Sequence, residues 1–167
     1  PLLSLYRLAA YWIDFVIVAF VLVGLQLLTN VLTGGFPFRV FTKGYEIELW
    51  VLLTMSLPVW LYFILCEYRT QKTMGKKLFK IAVFHGEETK IRLSQAVIRT
   101  FIKLLPWELT HLIILVPEPW WGVEQPKNLH LIFVPNAMLI VYVVVLAANK
   151  GRKGIHDFMA KTEVRAT

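Results

Sequence analysis

Leu5-Tyr-Arg-Leu-Ala-Ala-Tyr-Trp-Ile-Asp-Phe-Val-Ile-Val-Ala-Phe20 is an apolar run with an arginine and an aspartate near its head. Arg7 and Asp14 are separated by two helical turns, so they return to nearly the same face, with Asp14 about 10 Å further along the axis. The apolar run continues to Leu32, long enough to cross about 30 Å of hydrocarbon. In such a helix Arg7 lies near the interface and Asp14 lies inside, where a carboxylate needs either a partner or a task. The run is too long for the core of a signal peptide, and Asp14 interrupts it. A retained membrane helix is therefore expected.

The rest of the chain agrees with a membrane setting. Of its 167 residues 57% are hydrophobic and 14% aromatic, and the mean hydropathy is +0.59. That is too apolar for an ordinary soluble domain. Three further apolar stretches follow the first (8–32), at about 49–65, 98–116 and 129–148. The third is short and mixed. It starts with Arg99 and Lys103 and contains Pro106, Glu108 and His111.

The formal net charge of +7 suits anionic membrane or nucleic acid. Basic residues are dense between Glu67 and Lys103 and again after Ala148, but sparse in the other two loops. By the positive-inside rule, both termini and the 67–103 segment are cytoplasmic. Four spans satisfy this arrangement and three do not. Nucleic acid is disfavoured, because the basic residues are interleaved with apolar ones. Trp50, Trp120 and Trp121 fit interfacial anchors, the latter two in the external stretch Pro117-Glu-Pro-Trp-Trp121. A single cysteine, Cys66, allows no intrachain disulfide.

Within the cytoplasmic segment, Leu78-Phe-Lys-Ile-Ala-Val-Phe84 and Thr89-Lys-Ile-Arg-Leu93 flank the turn His85-Gly-Glu-Glu88. They predict a β-hairpin over about 78–93. Ser94 is then the expected cap of a helix starting at Gln95.

Two readings of Asp14 stand side by side. It pairs with an Arg or Asn on a neighbouring helix and locks the bundle, or it binds a proton or small cation. Arg7 fits an interfacial anchor that can also hold a carboxylate or a lipid phosphate. Glu108 and His111 share a helical face, but one E-x-x-H copy without further carboxylates is no di-metal site. A polar contact is the plainer reading and a proton relay the alternative. Thr73-Met-Gly-Lys-Lys77 lacks the upstream glycine of a phosphate-binding loop, so it is expected to form a turn that lays Lys76 and Lys77 on anionic headgroups. His156 and Asp157 follow the last span. Asp157 fits a helix cap or a partner for Arg7, Arg99 or a lysine, and His156 could titrate near neutral pH.

In combination these features resemble the RDD family of small membrane proteins, which takes its name from an arginine and two aspartates. Arg7, Asp14 and Asp157 stand at those places. Glu67, Thr73-x-Gly-Lys-Lys77, Ile81-x-Val83, Gly86, Arg99, His156-Asp157 and Ala160-x-Thr162 follow the family pattern along nearly the whole chain, with Lys161 where many relatives carry glycine. The resemblance implies a bacterial inner-membrane protein with a transport-related role. Cation/proton exchange has been proposed for some members, and others resemble accessory subunits of larger membrane assemblies.

The expectation is a single domain over 1–167: an all-α four-span transmembrane bundle with a short cytoplasmic β-hairpin and a basic cytoplasmic face. It is not an enzyme and uses no cofactor or metal. Its leading functional reading is small-cation/proton exchange at Asp14, with Arg7, Asp157, Arg99 and His156 around it and Glu67, Glu108 and His111 as secondary candidates. The alternative is an assembly module in which these residues form a structural charged network. Partners are the anionic bilayer and either a second copy or another membrane subunit.

Overall fold

The computed structural model describes residues 2–86, 89–118 and 128–167. Trp120 and Trp121 therefore lie outside the described residues, as does Glu87-Glu88. Helix α1, Leu2–Leu32, is followed by α2, Gly44–Val51, which passes through a π-helical segment, Leu52–Ser56, into α3, Leu57–Thr70. Pro58 has no amide to close the bond back to Thr54, which accounts for a wide turn at this point. Short α4, Met74–Leu78, and strand β1, Ile81–Phe84, lead to α5, Leu93–Leu115. A 3-10 turn, Leu129–Ile132, opens α6, Phe133–Ala148, and the chain closes with α7, Ile155–Ala160, and β2, Glu163–Ala166.

Among the described residues, three helices are long and apolar enough to cross a membrane: Leu2–Leu32, Gly44–Thr70 and Leu129–Ala148. The outward faces of α1 and α6 are largely apolar and uncovered, including Phe20, Leu28, Ile140 and Val144. This is the pattern of helices solvated by lipid. Helix α5 is different. Its 23 residues could bridge about 35 Å, but Arg99, Lys103 and Glu108 keep it below the hydropathy of a lipid-exposed span. It packs instead against α2, α3, α6 and α7.

Pro106 sits inside α5 and removes the amide that would bond the carbonyl of Ile102. The Tyr142 hydroxyl from α6 donates to that carbonyl at 2.6 Å. A backbone group freed inside an apolar bundle is thus satisfied by a neighbouring helix.

The expected β-hairpin does not form. β1 pairs antiparallel with β2, in the register Ile81↔Ala166 and Val83↔Val164. On its other edge, Gln71 exchanges hydrogen bonds with Val83 through its own carbonyl and side-chain amide. Both edges of β1 are taken, so residues 89–93 have nowhere to add a strand. Only an isolated bridge, His85↔Thr89, closes the turn. Ile91 instead contributes its side chain to the core formed with Ile81, Val83, Val164, Ala96 and Ala10. Helix α5 also begins earlier than expected, at Leu93, and Gln95 rather than Ser94 closes its start by accepting the Arg92 amide at 2.9 Å.

Candidate functional site

One end of the bundle gathers the start of α1, the end of α3, α4, the start of α5 and the α6–α7 connection. Here the chain buries a network of charges. Glu67, Arg99 and Asp157 are all 0% exposed. Arg99 donates through Nε to Glu67 at 2.8 Å and through Nη1 to Asp157 and the Thr162 hydroxyl. Arg7 donates to Asp157 at 2.6 Å, to the carbonyls of Gly151 and Arg152, and to Nε2 of His156 at 3.0 Å. Glu67 also accepts from Lys76 and, at 3.0 Å, from Lys103. Each carboxylate is thus held by more than one cation, the condition under which burying such charges is tolerable.

Local structure places each group. Asp157 is the third residue of α7 and accepts the Gly154 amide at 2.8 Å, closing the helix start. Burial alone would raise its carboxyl. The guanidinium groups of Arg99 and Arg7 outweigh that effect and hold it well below the usual carboxylate range. His156 is pushed well below its ordinary value, chiefly by burial. Its ring is therefore neutral, and since Arg7 only donates, Nε2 is the acceptor and the proton resides on Nδ1. Burial also lowers Lys76, against the pull of Glu67.

Asp14 lies on the same face as Arg7 but belongs to a different set of contacts. Oδ1 accepts the Tyr62 hydroxyl at 2.6 Å and the Gly75 amide at 2.8 Å, and Oδ2 accepts the Thr73 hydroxyl. Its partners are hydroxyls and an amide from α3 and the start of α4, not the Arg or Asn that a structural pair suggested. Gly75 is required for this approach: a Cβ there would stand 2.1 Å from the carbonyl oxygen of Ala10. The Thr-x-Gly-Lys sequence therefore serves two carboxylates, Thr73 and Gly75 holding Asp14 and Lys76 holding Glu67. This corrects one expectation, because Lys76 is buried in the network rather than laid on headgroups. Lys77 is exposed.

At the opposite end lies a second polar group. Glu108 accepts the Ser56 hydroxyl at 3.0 Å and the Trp60 indole N–H at 2.9 Å. Glu48, on α2, is 5% exposed, and among the described residues neither of its carboxylate oxygens has a hydrogen-bond partner. It is close enough to Glu108 for the two to repel. Nδ1 of His111 is likewise buried without a partner among the described residues. Sequence reasoning passed over Glu48. Its helical spacing from the Ser56–Trp60 face was the available signal. Trp50, expected as an interfacial anchor, instead donates to Gln26 of α1 at 2.9 Å. Among the described residues, no three His, Cys, Asp or Glu side chains converge on a metal site.

Two cavities lie between these groups. One, of about 120 Å³, is lined by Arg7, Asp14, Lys76, Lys103 and His156 against Leu139 and Val143. The other, of about 260 Å³, reaches Ser56, Glu108 and His111. Tyr11 and Phe63 line both, and the Tyr11 hydroxyl accepts the Trp107 indole N–H at 2.8 Å.

Long apolar helices around a buried Arg–Asp–Arg–Glu network define a helical membrane protein organised about charge at one end of its bundle. The chain belongs to the RDD family, whose model matches residues 4–161. No curated protein and no solved structure matches the chain.

Proposed function

We propose that this is a non-enzymatic, transport-related membrane protein that moves protons, and that the exchanging group is Glu48 beside Glu108 and His111. The observation that carries this reading is the Glu48 carboxylate, buried in a membrane-length helix with both oxygens unpaired among the described residues. An ionised carboxylate in such surroundings is costly without a partner, and intramembrane carboxylates of this kind mark proton and ion paths. The larger cavity brings open space to Glu108 and His111. Asp14 is a poorer exchanging group than its sequence position suggested, since three donors already occupy its oxygens.

In this reading α5 is the fourth span, its charged side chains turned toward the other helices, and the charged end faces the cytoplasm, as the distribution of Lys and Arg favours. A chain of this size forms a narrow path, so a second copy or another membrane subunit completes it. A second reading has a specific observation in its favour. The Arg7–Asp157–Arg99–Glu67 network ties together residues from both ends of the sequence, as an assembly module would.

The test uses purified protein in liposomes loaded with a pH-sensitive dye, under an imposed potential and then under Na⁺ or K⁺ pulses. Wild type is expected to move protons, Glu48→Gln to lose that movement while melting at a similar temperature, and Asp14→Asn to retain flux in whatever fraction folds. Equal flux in wild type and Glu48→Gln overturns the assignment. No flux in any form leaves the assembly module as the function.

A further inference from the structure

The charged end is not electrically balanced. Arg7, Lys76, Arg99 and Lys103 surround two carboxylates, Glu67 and Asp157. His156 is neutral. Counting Asp14 as a third carboxylate still leaves one positive charge in excess. The cations also act on one another: Arg99 and Arg7 repel Lys76, and Lys76 and Arg99 repel Lys103. Excess buried charge of one sign is expensive unless a counter-charge is supplied.

The surplus faces a space. Arg7, Lys76 and Lys103 line the 120 Å³ cavity, a volume of about four waters at the liquid density. Lys76 and Lys103 each spend one donor on Glu67, and each ammonium has three. His156 lines the same cavity, and its Nδ1 is buried with no partner among the described residues. By the tautomer above, it is a donor. Part of the remaining wall is apolar and comes from α6, where Leu139 and Val143 are exposed on the outward, lipid-solvated side.

We propose that this cavity binds the phosphate headgroup of an acidic membrane lipid, with the phosphate among Arg7, Lys76, Lys103 and His156 and an acyl chain along Leu139 and Val143. A phosphodiester supplies the missing negative charge and acceptor oxygens for these donors. The apolar wall is what separates a lipid from a free anion. Asp14 also lines the cavity; its charge is already counted in the balance above, and its oxygens are turned to Tyr62, Thr73 and Gly75. The site is at the other end of the bundle from Glu48 and stands independently of the proton reading.

Delipidated protein in neutral detergent, doped with phosphatidylglycerol, phosphatidylcholine or inorganic phosphate, provides the test by thermal melting and native mass spectrometry. Phosphatidylglycerol is expected to raise Tm by about 5 °C and to remain bound in the gas phase, with phosphatidylcholine doing neither. Lys103→Gln removes a cation, and Val143→Trp fills the apolar wall while leaving every charge in place; each is expected to abolish the Tm rise. An equal rise with both lipids overturns the proposal. So does a rise with phosphate alone that survives Val143→Trp, which would make the cavity a site for a free anion. If Lys103→Gln fails to fold, undiminished binding to Val143→Trp overturns it.

Discussion

The Tyr142 hydroxyl on α6 donates to the backbone carbonyl of Ile102 at 2.6 Å, and Ile102 is the residue whose carbonyl Pro106 leaves without an amide. Each fact explains the other, and together they give a double-mutant prediction. Tyr142→Phe is expected to destabilise by about 1 kcal/mol. In a Pro106→Ala background, where residue 106 can donate to Ile102, the same change should cost little. The coupling is read from unfolding in mixed micelles. Additive effects would mean that the hydroxyl and the proline act independently.

Asp157 is the carboxylate for both Arg7 and Arg99. Asp157→Asn leaves two buried guanidinium groups short of a counter-charge, a loss of about 3–5 kcal/mol. The expected result is a protein that melts far below wild type or fails to leave the membrane fraction folded. Lys77→Gln, on an exposed side chain, is expected to be nearly neutral in the same assay.

Gly75→Ala probes the Asp14 contacts without touching a charge. Its Cβ would meet the carbonyl of Ala10, so α4 must move off α1 and draw Thr73 and the Gly75 amide away from Asp14. Overpacking of this kind costs about 1–3 kcal/mol. Protease susceptibility of the 70–80 segment should rise with the loss of stability.

Acid should weaken the charged end in two stages. His156 has a folded pKa well below its ordinary value, so the unfolded chain binds the proton more readily. Its contribution is fully present above about pH 6.5 and declines as pH falls below that. Asp157 is also depressed, and its contribution is lost as pH falls from about 4 toward the folded value. Both act in the same direction, so Tm rises with pH. Melting His156→Asn between pH 5 and 7 is expected to show a flatter slope than wild type. An unchanged slope would place the titration elsewhere.

Hydropathy was enough to locate α1, the α2–α3 helix and α6, because lipid-facing residues announce themselves by being apolar. The coarse character of α5 was also legible. Its charges read as weakness for spanning, when Arg99, Lys103 and Glu108 are turned to partners on α3 and α7. The hairpin could not be excluded locally. Two β-prone runs around a glycine turn look alike whether they pair with each other or, as here, one pairs with Glu163–Ala166 and Gln71 caps the remaining edge. Arg7, Asp14, Arg99 and Asp157 stood out as charges in apolar surroundings, but not their pairing. A seven-residue spacing put Arg7 and Asp14 on one face without revealing that one would meet α7 and the other α4. Lys76 looked like any other surface lysine, because a buried carboxylate nine residues before it leaves no local trace. Glu48 was hidden for a similar reason: it sits in a polar-flanked helix start where an exposed Glu is ordinary.

The bond between Arg7 and Asp157 joins residues 150 apart in sequence. During translation, α1, α3 and α5 are made before that aspartate exists. Until α7 leaves the ribosome, Arg7 and Arg99 must rely on water and other transient contacts near the membrane surface. The tail strand β2 can pair with β1 only after that. Docking of α7 and β2 is therefore a closing event that follows the insertion of α6. A nascent chain stopped before residue 157 would present unpaired basic groups and an open strand edge, features that cellular quality control can recognise.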